Sequence, residues 1–360
     1  MNDIHILDQS FNLLGIIDEY ASVIWRPSYS DVGDFEIYLG TTENAIELLK
    51  ENNYVVRSSD ITVDSSGNVT YKKVMIVKNI NIVTDVEDGD YMTVTGREIK
   101  YLLHQRIVWE QTVLNGTAEE GIRQLIEENA IFPSDTNRVI PKLVLGSAKG
   151  MSDTIEKQLS GEHVDEAITA ICTTYNYGWD IYIYNDSLTV EIYQGLDRSY
   201  AQTDRPYVVF SEDFENLHNT EYQLSTEEFA NTALIGGEGE GTDRKYTTVG
   251  GNNSGLLRYE IFVEADNISS NSGSEDEITE KEYLSLLQEK GKEKLSELSY
   301  TEAFTGEVLN NTAFIYGKDY YLGDLVTVIN KYGRTKDVRV LSAIESDDDT
   351  GTKLIPQFNI

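Results

Sequence analysis

Strand-length stretches in which apolar and polar side chains alternate fill both ends of this chain, and that period of two restricts it to a β-rich fold. Near the start, Ile4, Ile6 and Phe11 alternate loosely. Ala21 to Trp25 then runs into a break at Pro27 and Gly33 before FEIYL resumes at Phe35. The segment ITVDSSGNVTYK reads as a hairpin turning at Ser65 to Asn68, and VMIVKNINIV leads through DVEDGD into YMTVTG. Thr42, with Glu43 behind it, is an N-cap for a short helix carrying Ala45, Ile46, Leu48 and Leu49, which stops at Asn52 and Asn53. A first β-rich unit is expected over about residues 1–105, closed by a short helix with Ile99, Leu102 and Leu103 on one face.

The period changes in the middle of the chain. Thr117 followed by Glu120 has the spacing of a capping box, and Ile122, Leu125 and Ile126 give the helix behind it a buried stripe. Val164, Ile168, Ile171 and Tyr175 share one face of a second helix, expected to stop at Gly178. WDIYIYNDSLTVEIYQG then predicts two strands around an Asn185–Asp186 turn, so residues 106–200 read as an α+β insertion.

Alternation returns at Tyr207 in YVVFSEDFENL and opens a second β-rich unit over 201–360. It is interrupted at about 240–300 by polar Gly/Ser loops (GGEGEG, Gly250 to Gly255, SSNSGSEDE) and by a helix over 278–298 through Tyr283, Leu284, Leu287, Leu295 and Leu298. The last expected strands are TAFIYG, DLVTVIN, VRVLSAI and KLIPQF.

Charge excludes several partners. The 360 residues hold 29 basic and 62 acidic side chains, a formal net charge of −33. Such a surface repels phosphate, which disfavours nucleic-acid binding and anchoring to anionic lipid. Cys172 is the single cysteine, so no intrachain disulfide forms and packing alone must hold the fold. MNDIHILDQS lacks the basic and apolar parts of a secretory signal, and the apolar runs are strand-sized, so a soluble chain without membrane anchoring is expected.

No motif specifies a catalyst. GSAKG and GNNSG misplace the serine of a nucleophile elbow. Cys172 falls near the buried stripe of its helix, where a small hydrophobe belongs. His5, His104, His163 and His218 lack the ligand spacing of a zinc site, and GGEGEG puts two glutamates where a phosphate loop would hold its anion. The acidic runs Asp85 to Asp90 and Asp347 to Asp349 read as solvated turns; the second has Phe358 where a calcium loop has its glutamate. Carboxylate pairs suited to glycoside hydrolysis are too numerous among 62 acids to point anywhere. The 23 tyrosines fit strand packing and interfaces better than a sugar platform. No catalytic, cofactor or metal residue is assigned.

Four ordered segments nevertheless carry a family signature. They are WRPSYSDVGDFEIYL with Trp25, Arg26, Tyr29, Gly33 and Phe35; TVTGREIKYLLHQRIV with Gly96, Arg97, Leu102, Leu103 and Arg106; the stretch from Phe210 and Ser211 through Asn216 and Leu217 to Asn231; and YGKDYYLGDLVTV with Asp319, Tyr320, Leu322, Gly323 and Asp324. In these residues the chain resembles the baseplate-hub or tail-hub proteins of long-tailed, siphophage-type bacteriophages and prophages.

The resemblance implies an α+β, β-rich fold: two tail-tube-like β-barrel domains flanking a mixed α+β insertion, with a helix inserted in the second barrel. It implies a structural homotrimer at the virion tail tip, made in the host cytoplasm, which matches a sixfold tube to a threefold tip. The implied neighbours are distal tail or tail-tube ring proteins, the tape-measure protein, and tail-tip fibre or receptor-binding proteins. DNA would pass through without specific binding. The motif residues are expected to determine the fold, with Gly323 in a tight turn at positive φ. A phage-associated cell-wall or polysaccharide hydrolase and a receptor or sugar-binding module remain alternatives at this stage.

Overall fold

The computed structural model describes residues 3–87, 89–270, 278–299, 301–308 and 314–359. The first stretch forms β1 (Ile4–Leu7), β2 (Leu13–Ile17), β3 (Ser22–Arg26), β4 (Asp34–Gly40), α1 (Glu43–Leu48), β5 (Tyr54–Arg57), β6 (Ile61–Val63), β7 (Val69–Tyr71), β8 (Met75–Val83) and β9 (Tyr91–Glu98). The middle forms β10 (Thr112–Thr117), α2 (Ala118–Ile126), β11 (Leu143–Leu145), β12 (Thr154–Leu159), α3 (Val164–Tyr175), β13 (Gly178–Tyr184) and β14 (Ser187–Tyr193). Then follow β15 (Val209–Ser211), β16 (Leu217–Ser225), β17 (Thr232–Gly236), β18 (Tyr246–Gly250), β19 (Glu260–Glu264), α4 (Glu280–Glu297), β20 (Thr301–Val308), β21 (Leu325–Ile329), β22 (Thr335–Asp348) and β23 (Gly351–Asn359).

Local chemistry sets the element ends. Ala45 N–H donates to Thr42 Oγ1 at 3.0 Å and opens α1. Thr117 and Glu120 close a reciprocal capping box at α2, and Thr279 with Glu282 does the same at α4. Asn185 and Asp186 both take positive φ, 45° and 66°, the conformation a two-residue hairpin loop with native twist requires between β13 and β14. α3 ends two residues before the expected Gly178, because Asn176 adopts the left-handed cap and the Tyr177 N–H turns back to Cys172 O. The short helix after β9, Ile99–Gln105, is wound as a 3-10 helix. In the expected TAFIYG strand, Thr312 and Ala313 lie outside the described residues, and the rest is a turn with only an isolated bridge between Tyr316 and Tyr320. Asp88 and most of SSNSGSEDE also lie outside the described residues.

The two β-rich ends of the chain join edge to edge. β22 pairs with β21 through Thr335 to Arg339 and with β23 from Arg339 onward. Its last four residues, Glu345 to Asp348, pair with β3. The resulting sheet has 13 strands, with the main order β16-β20-β23-β22-β3-β4-β9-β8-β5-β1-β2. The expected pair of closed barrels is not confirmed: among the described residues no ladder closes on itself. Closing the N-terminal unit would require β2 against β3, and that edge of β3 is occupied by β22. The N-terminal hairpin β6–β7 leaves its own sheet and joins the middle one, in the order β11-β14-β13-β7-β6. A separate sheet, β18-β17-β19, carries α4.

Packing follows these joins. Trp25, Phe35, Ile37 and Val94 are buried in one core with α1 residues Ala45 and Leu48. The largest core gathers Ile122, Leu125, Ile168, Ile171 and Trp179 from the middle with Val32, Val74, Ile76, Ile99 and Leu103 from the first stretch. Phe210, Tyr320, Val326, Val340 and Phe358 form a third. Cys172 is buried in the largest core, and burial pushes its thiol up and so against thiolate chemistry. Among the described residues no helix is long and apolar enough to cross a membrane.

Candidate functional site

The four signature segments divide between the cores of the fold and the joints between its parts. In the first, Trp25 and Phe35 are register partners across β3 and β4, with ring centroids 5.3 Å apart. Gly96 lies opposite Phe35 on β9, where a Cβ would stand 1.8 Å from Ile76 O and 2.7 Å from Phe35 Cε1. Beside them Arg26 pairs with Asp34 at 2.6 Å, and Arg97 is the register partner of Asp34 on the other side. The Gly33 N–H donates to Glu98 Oε2 at 2.9 Å. Lys100 is fully buried, ion-paired with Glu98 at 3.1 Å, and its ammonium donates to Ser28 O at 2.7 Å and Asp31 O at 2.6 Å. Leu103 packs in the large core with Leu102 against it, while Arg106 Nε donates to Arg138 O at 2.5 Å.

Tyr29 stands where all three stretches of chain meet. Its hydroxyl donates to Asn176 O at 2.9 Å and accepts from Gly195 N–H at 3.1 Å. Its backbone N–H donates to Leu341 O at 2.7 Å, and its carbonyl accepts from Trp179 N–H at 3.1 Å. The ring packs edge-on to Tyr193 at 5.4 Å and lies directly against Gly178 and Gly323. Burial raises the Tyr29 phenol above its usual range, so it remains a neutral donor. Next to it the buried Asp324 carboxylate accepts from Leu196 N–H (2.7 Å), Arg198 Nε (2.8 Å) and Tyr321 N–H (3.0 Å). Asp324 thereby ties the segment following β14 to the turn before β21.

The remaining signature residues brace the C-terminal unit. Phe210 contacts Tyr320, Phe358 and Phe314 at centroid distances of 5.1, 5.9 and 6.1 Å. Leu217 and Leu322 belong to the same cluster. Asn216 Oδ1 accepts from Ser211 N–H at 2.7 Å and its Nδ2 donates to Val209 O at 2.8 Å, while Ser211 Oγ accepts from Asp213 N–H at 3.2 Å. Asn231 is separate from them: Nδ2 donates to Leu257 O at 2.7 Å and Oδ1 accepts from Tyr259 N–H at 3.1 Å. Asp319 Oδ2 accepts from Ile315 N–H at 2.7 Å and shapes the turn ahead of Tyr320.

A second joint carries charge and was not singled out in the sequence. Arg57, on β5, makes two 3.0 Å bonds to the Glu345 carboxylate and a 2.7 Å bond to Asp60. Lys73 reaches Glu345 at 2.9 Å and lies 4.6 Å from the Tyr316 ring centroid. Burial alone would raise the Glu345 carboxyl, but Lys73 and Arg57 overcome it and hold the group at about 2. The cluster stands where β22 meets β3, since Glu345 is the register partner of Trp25. Partners separated by as many as 288 positions leave no local pattern from which sequence could assemble them.

Neither joint presents a nucleophile beside a base. Among the described residues no group of His, Cys, Asp and Glu could hold a metal ion. The acidic run at Asp347 is part of the frame, because Asp347 Oδ2 accepts from the Tyr20 hydroxyl at 2.8 Å. The chemistry of these positions is joining: aromatic rings, charge pairs and carbonyl-capped donors that fix one unit against another.

The family described as Siphovirus ReqiPepy6 Gp37-like protein matches the chain over residues 3–358. The chain belongs to this family. Solved structures are similar to the Gp37-like chain along nearly its whole length. The tail protein from Neisseria meningitidis MC58 superposes with a TM-score of 0.59 at 14% identity, covering 100% of this chain and 96% of that one. The 43 kDa tail protein of prophage MuSo2 from Shewanella oneidensis gives 0.58 at 13% identity, covering 99% and 98%. Prophage tail protein gp18 from Listeria monocytogenes EGD-e gives 0.54 at 13% identity, covering 99% and 94%. No curated protein matches the sequence significantly. At these identities the likeness is one of fold: the Gp37-like chain has the β-rich fold of phage and prophage tail proteins.

Proposed function

We propose that this Gp37-like chain is a structural protein of the virion tail, the hub that closes the tail tube at its tip as a threefold ring and connects it to the host-recognition or penetration apparatus. In this reading the N-terminal and C-terminal β-rich units are the two tube-like domains, so that three copies set six of them around one axis. The observation that carries the reading is the union of those units in one sheet. β22 hydrogen-bonds to β3 over Glu345 to Asp348, and the cluster of buried Arg57 with half-buried Glu345 and Lys73 pins the same seam. A subunit whose two β-rich ends are rigidly joined suits a ring that must keep a fixed bore.

The same reading assigns the signature residues the role of joints, with no catalytic residue among them. Its partners are further copies of the chain, a tube or distal tail ring on one side, the tape-measure protein, and a fibre or receptor-binding protein on the other. The net charge of −33 supports a lumen along which DNA slides without being held. Incubating the purified protein with host cell walls tests the structural assignment: no sugar or peptide fragments are expected. Reproducible release that disappears on substituting one carboxylate pair would instead make the chain a hydrolase.

A further inference from the structure

The small sheet β18-β17-β19 has two unlike faces. Ile235, Val249 and Val263 point to α4, where Gly291 lies against Ile235 and Val249, and Gln288 Nε2 donates to Thr247 Oγ1 at 3.2 Å. Alternation sends Leu234, Tyr246 and Phe262 to the other face, where they stand 42%, 49% and 51% exposed. Arg244 is fixed among them: its guanidinium carbon lies 5.8 Å from the Tyr246 ring centroid and 5.5 Å from that of Phe262. It also donates to the Gly236 and Gly237 carbonyls at 3.0 Å and pairs with Glu264.

An aliphatic side chain, two aromatic rings and an arginine already held in place are the residue types that dominate the centres of protein interfaces. Charge narrows the choice of occupant. Arg244 pairs with Glu264 at one end of β19, and Arg258 pairs with Glu260 at the other, so both charged side chains of β19 on this face are neutralised, on a chain of −33. Two copies of such a chain repel one another over most of their surface, and a neutral face is where they approach at least cost. The Glu264 and Glu260 side chains remain 55% and 63% exposed, so each arginine–carboxylate pair still offers acceptors outward. These acceptors are free for donors on whichever surface of the neighbouring copy a ring sets against this face.

We propose that the open face of β17, β18 and β19, centred on Leu234, Tyr246, Phe262 and Arg244, is buried against a second copy of this chain. This deepens the ring reading by naming one of its contact faces, and it rests on that reading only in requiring self-association.

Light scattering on the full chain, wild type against the double variant Leu234→Glu with Phe262→Glu, tests it. Both positions are half-exposed, so the variant is expected to keep its circular dichroism and melting temperature while its mass falls from the oligomer to the monomer. A second variant, Thr248→Lys on the same open face, should weaken association at least tenfold. Leu13→Glu, at an exposed position on β2, should leave the mass unchanged. Variants at 234, 248 and 262 that all associate like the wild type would overturn the face and leave the ring reading standing. A wild-type dimer lost in the double variant would uphold the face and overturn the threefold ring. A wild-type chain monomeric at millimolar concentration would overturn both.

Discussion

Gly323 lies against the ring of Tyr29 so closely that a Cβ placed on it would stand 2.1 Å from Tyr29 Cε2. Its φ of 87° belongs to the left-handed region, so steric fit and backbone conformation both demand glycine at this point. Gly323→Ala is expected to destabilise the protein by about 2 to 4 kcal/mol, combining left-handed strain with overpacking. Chemical denaturation reads this directly; a change below about 0.5 kcal/mol, the scale of an ordinary surface substitution, would mean that the ring moves aside freely.

The Tyr29 hydroxyl is the second half of that joint. Tyr29→Phe keeps the ring but leaves Asn176 O and Gly195 N–H without their partner, at an expected cost of about 1 to 3 kcal/mol. Hydrogen exchange supplies a local readout: the Gly195 amide should lose protection in the variant, while amides in the β4–β9 ladder keep theirs. Equal exchange at Gly195 in both proteins would place its protection elsewhere.

The charged seam makes an acid-stability prediction. Glu345 titrates at about 2 in the folded chain, below its value of about 4.3 when unfolded. A depressed carboxylate stabilises the fold above its unfolded value, and that stabilisation disappears as pH falls through the interval down to its folded value. Wild-type stability should therefore drop between about pH 4.5 and 2 by a share on the order of 3 kcal/mol due to this group. Glu345→Gln should flatten that part of the curve and cost on the order of 3 kcal/mol at neutral pH, since Arg57 and Lys73 lose a half-buried partner and keep only Asp60. An unchanged acid profile in the variant would remove the seam from the account of stability.

What the sequence disclosed was mostly local. The Thr117–Glu120 capping box and the Asn185–Asp186 turn are decided by residues within one helical turn or one hairpin, and both stand where their spacing predicts. The left-handed turn at Gly323 is of the same kind. The barrel expectation is left unconfirmed by a distant relationship: β22 pairs with β3 across more than three hundred positions and occupies the edge that closure of the N-terminal unit would need. Alternation in VRVLSAI announces a strand but carries nothing about which strand lies beside it. The joints divide in the same way. Tyr29, Gly323 and Asp324 stood out because they lie in recognisable segments, whereas Arg57, Asp60, Lys73 and Glu345 are ordinary charges until the fold buries them together.

Charge gives a prediction about DNA. With −33 per chain the free protein should not retard duplex DNA at about 0.15 M salt, where exposed charges are screened beyond roughly 8 Å. Salt-sensitive binding in the micromolar range would contradict a slippery conduit.

Class-averaged electron micrographs of the purified assembly test the central claim most directly. The hub reading predicts a ring of three copies with an open central hole, six similar lobes around the bore, and no basic lining. Particles containing a single chain, or a compact oligomer with no passage through it, would contradict it.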